Sequence, residues 1–357
     1  MIKLNPNYKT LFATLLFSIG LSHVASQCPR CREPKTCRNF VNKDPTQDLD
    51  TFYKQASGLY QNSQGQDLRD ELNSLSTTGH RNLGYDCVWS ALAITERDTN
   101  ATDDDDSVLL FYSQESIPRL CRDCGNNDGD NWNREHLWPK SRGFKNRNRF
   151  EHNDIHHLVP ADKSINGVGR NNRDFGEGGN PFVEGGDERP CNGCKITGSP
   201  TNGTWEPPNA VKGQVARMMM YMDIRYSSLE LVPEDIATNN RDGKLGNLVT
   251  LLKWHCEYAV SDKERARNDK VETLQGNRNS FIDHPEFAKE IWPEYNESIW
   301  SKGCEFEKAK DEDSVDEKPI KEEPTDELPG DSPTSVWINE FHYVRFTLFS
   351  LRLYYCC

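Results

Sequence analysis

The chain has 357 residues, of which 35% are hydrophobic and 28% charged, with a formal net charge of −13. That composition excludes a wholly disordered chain, and the length allows one large domain or two modest ones. The negative charge does not exclude a nucleic-acid partner. Residues 305–331 hold 12 acidic and 4 basic residues, a net −8, which leaves −5 for everything else.

Lys3 and Lys9 precede an apolar run at 11–21 and the small-residue site Val24-Ala25-Ser26. This pattern predicts a secretory signal peptide over residues 1–26, too short to span a bilayer. The protein is therefore expected to be secreted, extracellular and free of the membrane after cleavage. Twelve cysteines fit an oxidising destination. A Cys-rich segment covers 27–47. Leu49, Phe52, Tyr53 and Leu59 recur at helical spacing. The apolar stretch 85–95 reads as ordered, 108–112 as a buried strand, and the acidic run 103–106 as a solvated loop without EF-hand spacing. Val215, Met218, Met219 and Met222 predict a helix over 211–226, started by Pro207-Pro208, and a second helix is expected over 248–258. Residues 305–335 lack core-forming side chains and read as a disordered acidic linker. Residues 336–357 open with VWINEFHY, which resembles the first strand of a lamin-tail domain, here truncated.

The chemistry concentrates in residues 132–177. The expected layout is a strand near 135–138, a polar loop, a second strand at 155–159 and a helix from about 162. Carboxylate and Asn carbonyl oxygens in this stretch are hard donors suited to Mg²⁺, Ca²⁺ or Mn²⁺, and a histidine beside them can take a proton from water near neutral pH. Together they are minimal equipment for phosphodiester hydrolysis. An unperturbed imidazole accepts that proton above about pH 6.5. Adjacent residues on a regular strand face opposite ways, so Glu135 is expected to precede the strand or to sit at a bulge. His156 and His157 are expected to pack behind His136.

These motifs, in order, resemble the endonuclease I family of secreted, non-specific nucleases with a ββα-metal (His-Me) finger. The resemblance rests on Asn133-Arg134-Glu135-His136-Leu137-Trp138-Pro139, Asp154-Ile155-His156-His157-Leu158, Ile165-Asn166-Gly167, Phe175-Gly176-Glu177, Glu206-Pro207-Pro208 and Gly276-Asn277-Arg278-Asn279. It covers most of residues 52–300. It implies an α+β fold, with a mixed nuclease domain over 48–304. It further implies His136 as general base and Glu135 with Asn166 as ligands of Mg²⁺ (or Ca²⁺ or Mn²⁺). DNA and RNA would be the substrates, cut to 5′-phosphate ends by a monomer. Arg134, Arg170 and Arg278 are the candidate substrate contacts. The arginine that stabilises phosphate charge stays open among Arg142, Arg147, Arg149, Arg170 and Arg278.

Two alternatives stand beside this reading. The pairs Cys28/Cys31, Cys121/Cys124 and Cys191/Cys194 could hold zinc, although secretion favours disulfides. A catalytically inactive nucleic-acid-binding or extracellular interaction protein is the other, and the joint presence of Glu135, His136 and Asn166 speaks against it.

Overall fold

A computed structural model describes residues 37–100, 106–125, 131–183, 191–233 and 243–304. All lie in the first of two units, Met1–Ser314; the second, Val315–Cys357, is outside them. The expected signal peptide, most of the 103–106 run, the acidic linker and the lamin-tail-like strand likewise fall outside the described residues.

The fold is α+β. A single helical turn over Leu49–Phe52 leads into helices α1 (Lys54–Gln61), α2 (Gly65–Thr77) and α3 (Val88–Thr95). The apolar stretch at 85–95 thus becomes a helix whose Val88, Ala91 and Leu92 are fully buried. Strands β1 (Ser107–Leu109) and β2 (Ser116–Pro118) then form an antiparallel hairpin. The strand expected over 108–112 stops early, and Gln114 takes a left-handed φ of 58° in the turn.

Strand β3 (Trp132–His136) pairs antiparallel with β4 (Leu158–Asp162), from Trp132 opposite Asp162 to His136 opposite Leu158. β4 begins about three residues later than expected. Asp154 is the cause: its Oδ1 accepts from the His156 N–H at 2.9 Å, which favours a turn over a ladder at 154–157. The following helix begins where expected, with helical residues from 163. Asp162 Oδ1 accepts from the Ser164 and Ile165 N–H groups at 2.8 and 3.2 Å, and the helix, of π type, runs Ile165–Arg170. Within it, a Cβ on Gly169 would lie 2.9 Å from the Trp205 ring, so only glycine lets the helix pack this closely.

Four short strands follow, β5 (Asp174–Phe175), β6 (Asn180–Pro181), β7 (Lys195–Ile196) and β8 (Thr204–Glu206), in sheet order β5-β8-β7-β6. Helix α4 (Asn209–Arg225) is the spine of the larger core, and Val215, Met218, Met219 and Met222 are all buried as their spacing predicts. Helix α5 (Leu248–Glu257) packs on it and is capped by Asn247, whose side chain accepts from the Thr250 N–H at 3.1 Å. Helix α6 (Asp262–Gln275) starts at the Ser261 cap and ends at Gly276, whose φ of +98° suits a left-handed C-cap. No helix among the described residues is long and apolar enough to cross a membrane.

Disulfides join Cys37 to Cys87, Cys191 to Cys194 and Cys256 to Cys304; Cys121 and Cys124 are also disulfide-bonded. An oxidised sulfur is no thiolate ligand, so zinc is not held by these cysteines.

Candidate active site

A polar cleft of about 720 Å³ lies along β3, bordered by Asn133, Arg134, Glu135, His136, Lys140 and Asn166 among others. Glu135 and His136 both belong to the regular register of β3. Neither the early position nor the bulge expected for Glu135 occurs. Instead the pleat separates their side chains, and their neighbours are different sets. β3 and β4 form a sheet of only two strands. The cleft therefore borders residues from both faces of β3.

One face carries Asn133 and Glu135. Glu135 is 3% exposed, and its Oε1 accepts from the Tyr112 hydroxyl at 3.1 Å with Arg170 Nε 4.0 Å away. Burial pushes this carboxyl up to about 7, against the opposing pull of Arg170 and Tyr112. A bound cation would oppose the same rise. Asn166 reaches this face from the π-helix, donating through Nδ2 to Asn133 Oδ1 at 2.7 Å.

The other face carries Arg134 and His136. His136 is 6% exposed, and its Nε2 lies 3.0 Å from the His152 carbonyl. A carbonyl only accepts, so Nε2 bears the proton and Nδ1 keeps a lone pair. Burial, with His157 and His152 nearby, holds the imidazole well below its ordinary value. This corrects the threshold of about 6.5, because His136 stays neutral in more acidic solution. Tyr85 stacks on the ring at 5.7 Å between centroids and an interplanar angle of 27°. The Arg134 guanidinium sits 3.4 Å from the Tyr85 ring centre and 4.1 Å from that of Trp89. Its pKa falls to about 10 through burial, which leaves it charged at neutral pH.

The structure thus brings Arg134, Glu135, His136 and Asn166 to one cleft, and places two other candidates elsewhere. Arg170 is 0% exposed and donates to the Leu137 carbonyl at 2.7 Å and to that of Arg173. Arg278 is buried among Asp269, Glu272 and Asp283, each at 2.7 Å. Neither borders the cleft. Arg142 is spent on Asp174 and the Asn172 carbonyl, and Arg149 on Glu151. Arg122 and exposed Lys140 border the cleft instead. His157 does pack behind His136, at 5.5 Å, but His156 bonds to the Asn277 carbonyl and packs on Tyr221. His152, Asn133, Tyr112, Tyr85 and Arg122 were not singled out by the sequence.

Among the described residues no group of three or more His, Cys, Asp and Glu could hold a metal. A carboxylate and one amide carbonyl remain, the sparse oxygen set that a cation completed by water and phosphate uses.

The family model for Endonuclease I matches residues 64–286. The extracellular ribonuclease of Bacillus amyloliquefaciens is 40% identical over 255 residues, covering 70% of this chain and 80% of that protein. The extracellular ribonuclease of Bacillus subtilis (strain 168) is 39% identical over 256 residues, covering 70% and 81%. The chain belongs to the endonuclease I family. It is a phosphodiester-cleaving nuclease.

Proposed function

We propose that this protein is a secreted, divalent-metal-dependent endonuclease that hydrolyses the backbone of DNA and RNA without reading bases. The observation that supports this best is the pairing, across one strand, of a neutral imidazole with a free Nδ1 and an oxygen donor pair, Glu135 and Asn166. In this reading β3, β4 and the helix Ile165–Arg170 form the ββα-metal finger. The domain spans 48–304 behind a cleaved signal, acts as a monomer and precedes an acidic tail.

Nδ1 of His136 accepts a proton from a water in line with the scissile phosphorus while Nε2 stays anchored on the His152 carbonyl. Arg134, clamped between Tyr85 and Trp89, binds a phosphate oxygen through its remaining donors. Glu135 and Asn166 would hold Mg²⁺, Mn²⁺ or Ca²⁺, whose chemistry when bound is to stabilise charge on the phosphate. The water oxygen bonds to phosphorus as the bond to the 3′ oxygen breaks, and the departing 3′ oxygen takes a proton from solvent, leaving 5′-phosphate and 3′-hydroxyl ends. Only backbone atoms react, so no base contact is needed.

Plasmid DNA and RNA should both be cut, both reactions should stop in EDTA, and RNA fragments should carry 5′-phosphates. RNA cleavage that persists in EDTA and yields 2′,3′-cyclic phosphates would replace this mechanism with attack by the ribose hydroxyl. EDTA-independent binding without any cleavage would instead support the inactive-binder alternative.

Salt offers a second check. Arg122, Arg134 and Lys140 border the cleft, and exposed Arg147 sits 5.2 Å from the Tyr85 ring centre. Three or four phosphate contacts predict a log–log slope of roughly −3, about 10²-fold weaker binding between roughly 50 and 200 mM salt. A flat response in a filter-binding titration would count against phosphate tracking.

A further inference from the structure

We propose that Asn133 is a positioning residue that turns the Asn166 amide so that its carbonyl, not its NH₂, faces the cation site. This rests on the reading that Glu135 and Asn166 are cation ligands.

An Asn side chain ends in two groups of nearly equal size and opposite character. Sterics scarcely distinguish them, because the terminal torsion is broad and two-fold. A cation accepts only the oxygen. An Asn ligand therefore needs a partner for its NH₂, or half of its orientations point donors at the metal. Asn133 Oδ1 is that partner, 2.7 Å from Asn166 Nδ2. The reverse arrangement, Asn133 donating to Asn166 Oδ1, would consume the ligand oxygen. The observed one leaves it free.

The placement follows from the fold. Asn133 lies two residues before Glu135 on β3, so both project from the same face, toward the helix that carries Asn166. Both amides are half-buried at the cleft wall, where an amide bond is less easily exchanged for water than on an open surface. Glu135 is treated alike: the Tyr112 hydroxyl occupies its Oε1. Each proposed ligand is thus tied through one atom, which leaves the other for the cleft.

The test measures Mn²⁺ affinity of the full-length protein by the electron paramagnetic resonance of free Mn²⁺, with thermal melting as a fold check. Asn133→Leu should weaken Mn²⁺ binding about 10–100-fold, the usual cost of losing a ligand's orienting partner. In an Asn166→Asp background the same change should have little effect, since a carboxylate has an oxygen at both ends. Asn133→Asp, which keeps the acceptor, should bind Mn²⁺ at least as well as the parent. Unchanged affinity in Asn133→Leu, an equal loss in both backgrounds, or weakened binding by a folded Asn133→Asp would each overturn the proposal. Glu135→Ala and Asn166→Ala serve as controls. If both bind Mn²⁺ like the parent, the ligand reading itself fails; if they lose it while Asn133→Leu does not, only this inference does.

Discussion

Replacing His136 with alanine should lower the cleavage rate by roughly 10²–10⁴-fold while DNA binding is retained, the usual worth of a positioned general base. The geometry supports a loss in rate rather than in affinity. His136 is held by the His152 carbonyl and by ring contacts with Tyr85, His152 and His157, whereas the cleft's cations come from Arg122, Arg134 and Lys140. Its depressed pKa leaves it fully in the basic form at neutral pH. Single-turnover cleavage at saturating Mg²⁺, with circular dichroism to confirm the fold, is the measurement. A His136→Ala protein that cuts at the parent rate would remove the base from the mechanism. Loss of binding together with rate would make His136 a structural element of the cleft wall.

Replacing Asp154 with alanine should cost on the order of 3 kcal/mol of stability, because it removes the acceptor of several buried donors at roughly 1–3 kcal/mol for each one left unsatisfied. Asp154 is fully buried and accepts from the Tyr221 and Tyr226 hydroxyls at 2.8 and 2.7 Å, from Gln275 Nε2 at 2.8 Å and from the His156 N–H at 2.9 Å. Without it the two tyrosine hydroxyls lose their acceptor, Gln275 keeps only its bond to Asn277, and the turn that feeds β4 loses its anchor. The same network sets an acid limit. Burial alone would raise the Asp154 carboxyl, but His80, His156, His157 and the Gln275 bond hold it below its ordinary value, so its stabilisation is lost as pH falls below about 4. Burial lowers His156 and His157 to about 4 despite the nearby Asp154. The unfolded chain takes up those protons from about pH 6.5 downward while the folded one resists, so stability declines from there toward 4. Both contributions run the same way. Urea midpoints that stay constant from pH 7 to 4.5, or an Asp154→Ala protein as stable as the parent, would contradict this account.

Much of the site was legible because its chemistry is local. Glu135, His136 and Asn166 lie within one strand pair and the helix after it, and their residue types carry their meaning. Residues that act by packing were not legible. Tyr85 and Trp89 enter from one segment and Tyr112 from another, and all three read only as apolar positions. Charge alone could not separate Arg134, stacked at the cleft, from Arg170, turned inward onto backbone carbonyls, or from Arg278, held by carboxylates. The shifted edge of β4 has a local origin: Asp154 binds the His156 N–H just ahead and favours a turn, whereas Asp162 binds the N–H groups of Ser164 and Ile165 and starts the helix where the sequence placed it. Helix α6 escaped for another reason. It buries Glu264, Arg267 and Glu272 in pairs with Arg217, Glu96 and Arg278, so its inner face is ionic and shows no apolar period.

The regular pleat of β3 gives the site a parity. Odd positions, 133 and 135, lie on the oxygen-donor side; even positions, 134 and 136, lie on the side of the aromatic stack, where the proposed mechanism puts proton transfer and phosphate contact. Substitutions can therefore adjust one inventory while leaving the other untouched, and the two halves can drift at different rates. Changes in length have no such freedom. A single deletion ahead of Glu135 that kept the pairing register would exchange the two inventories at once, presenting the carboxylate to the aromatic stack and the imidazole to Tyr112. The strand tolerates point replacement far better than insertion or loss, although nothing in its hydrogen-bonded ladder would be broken.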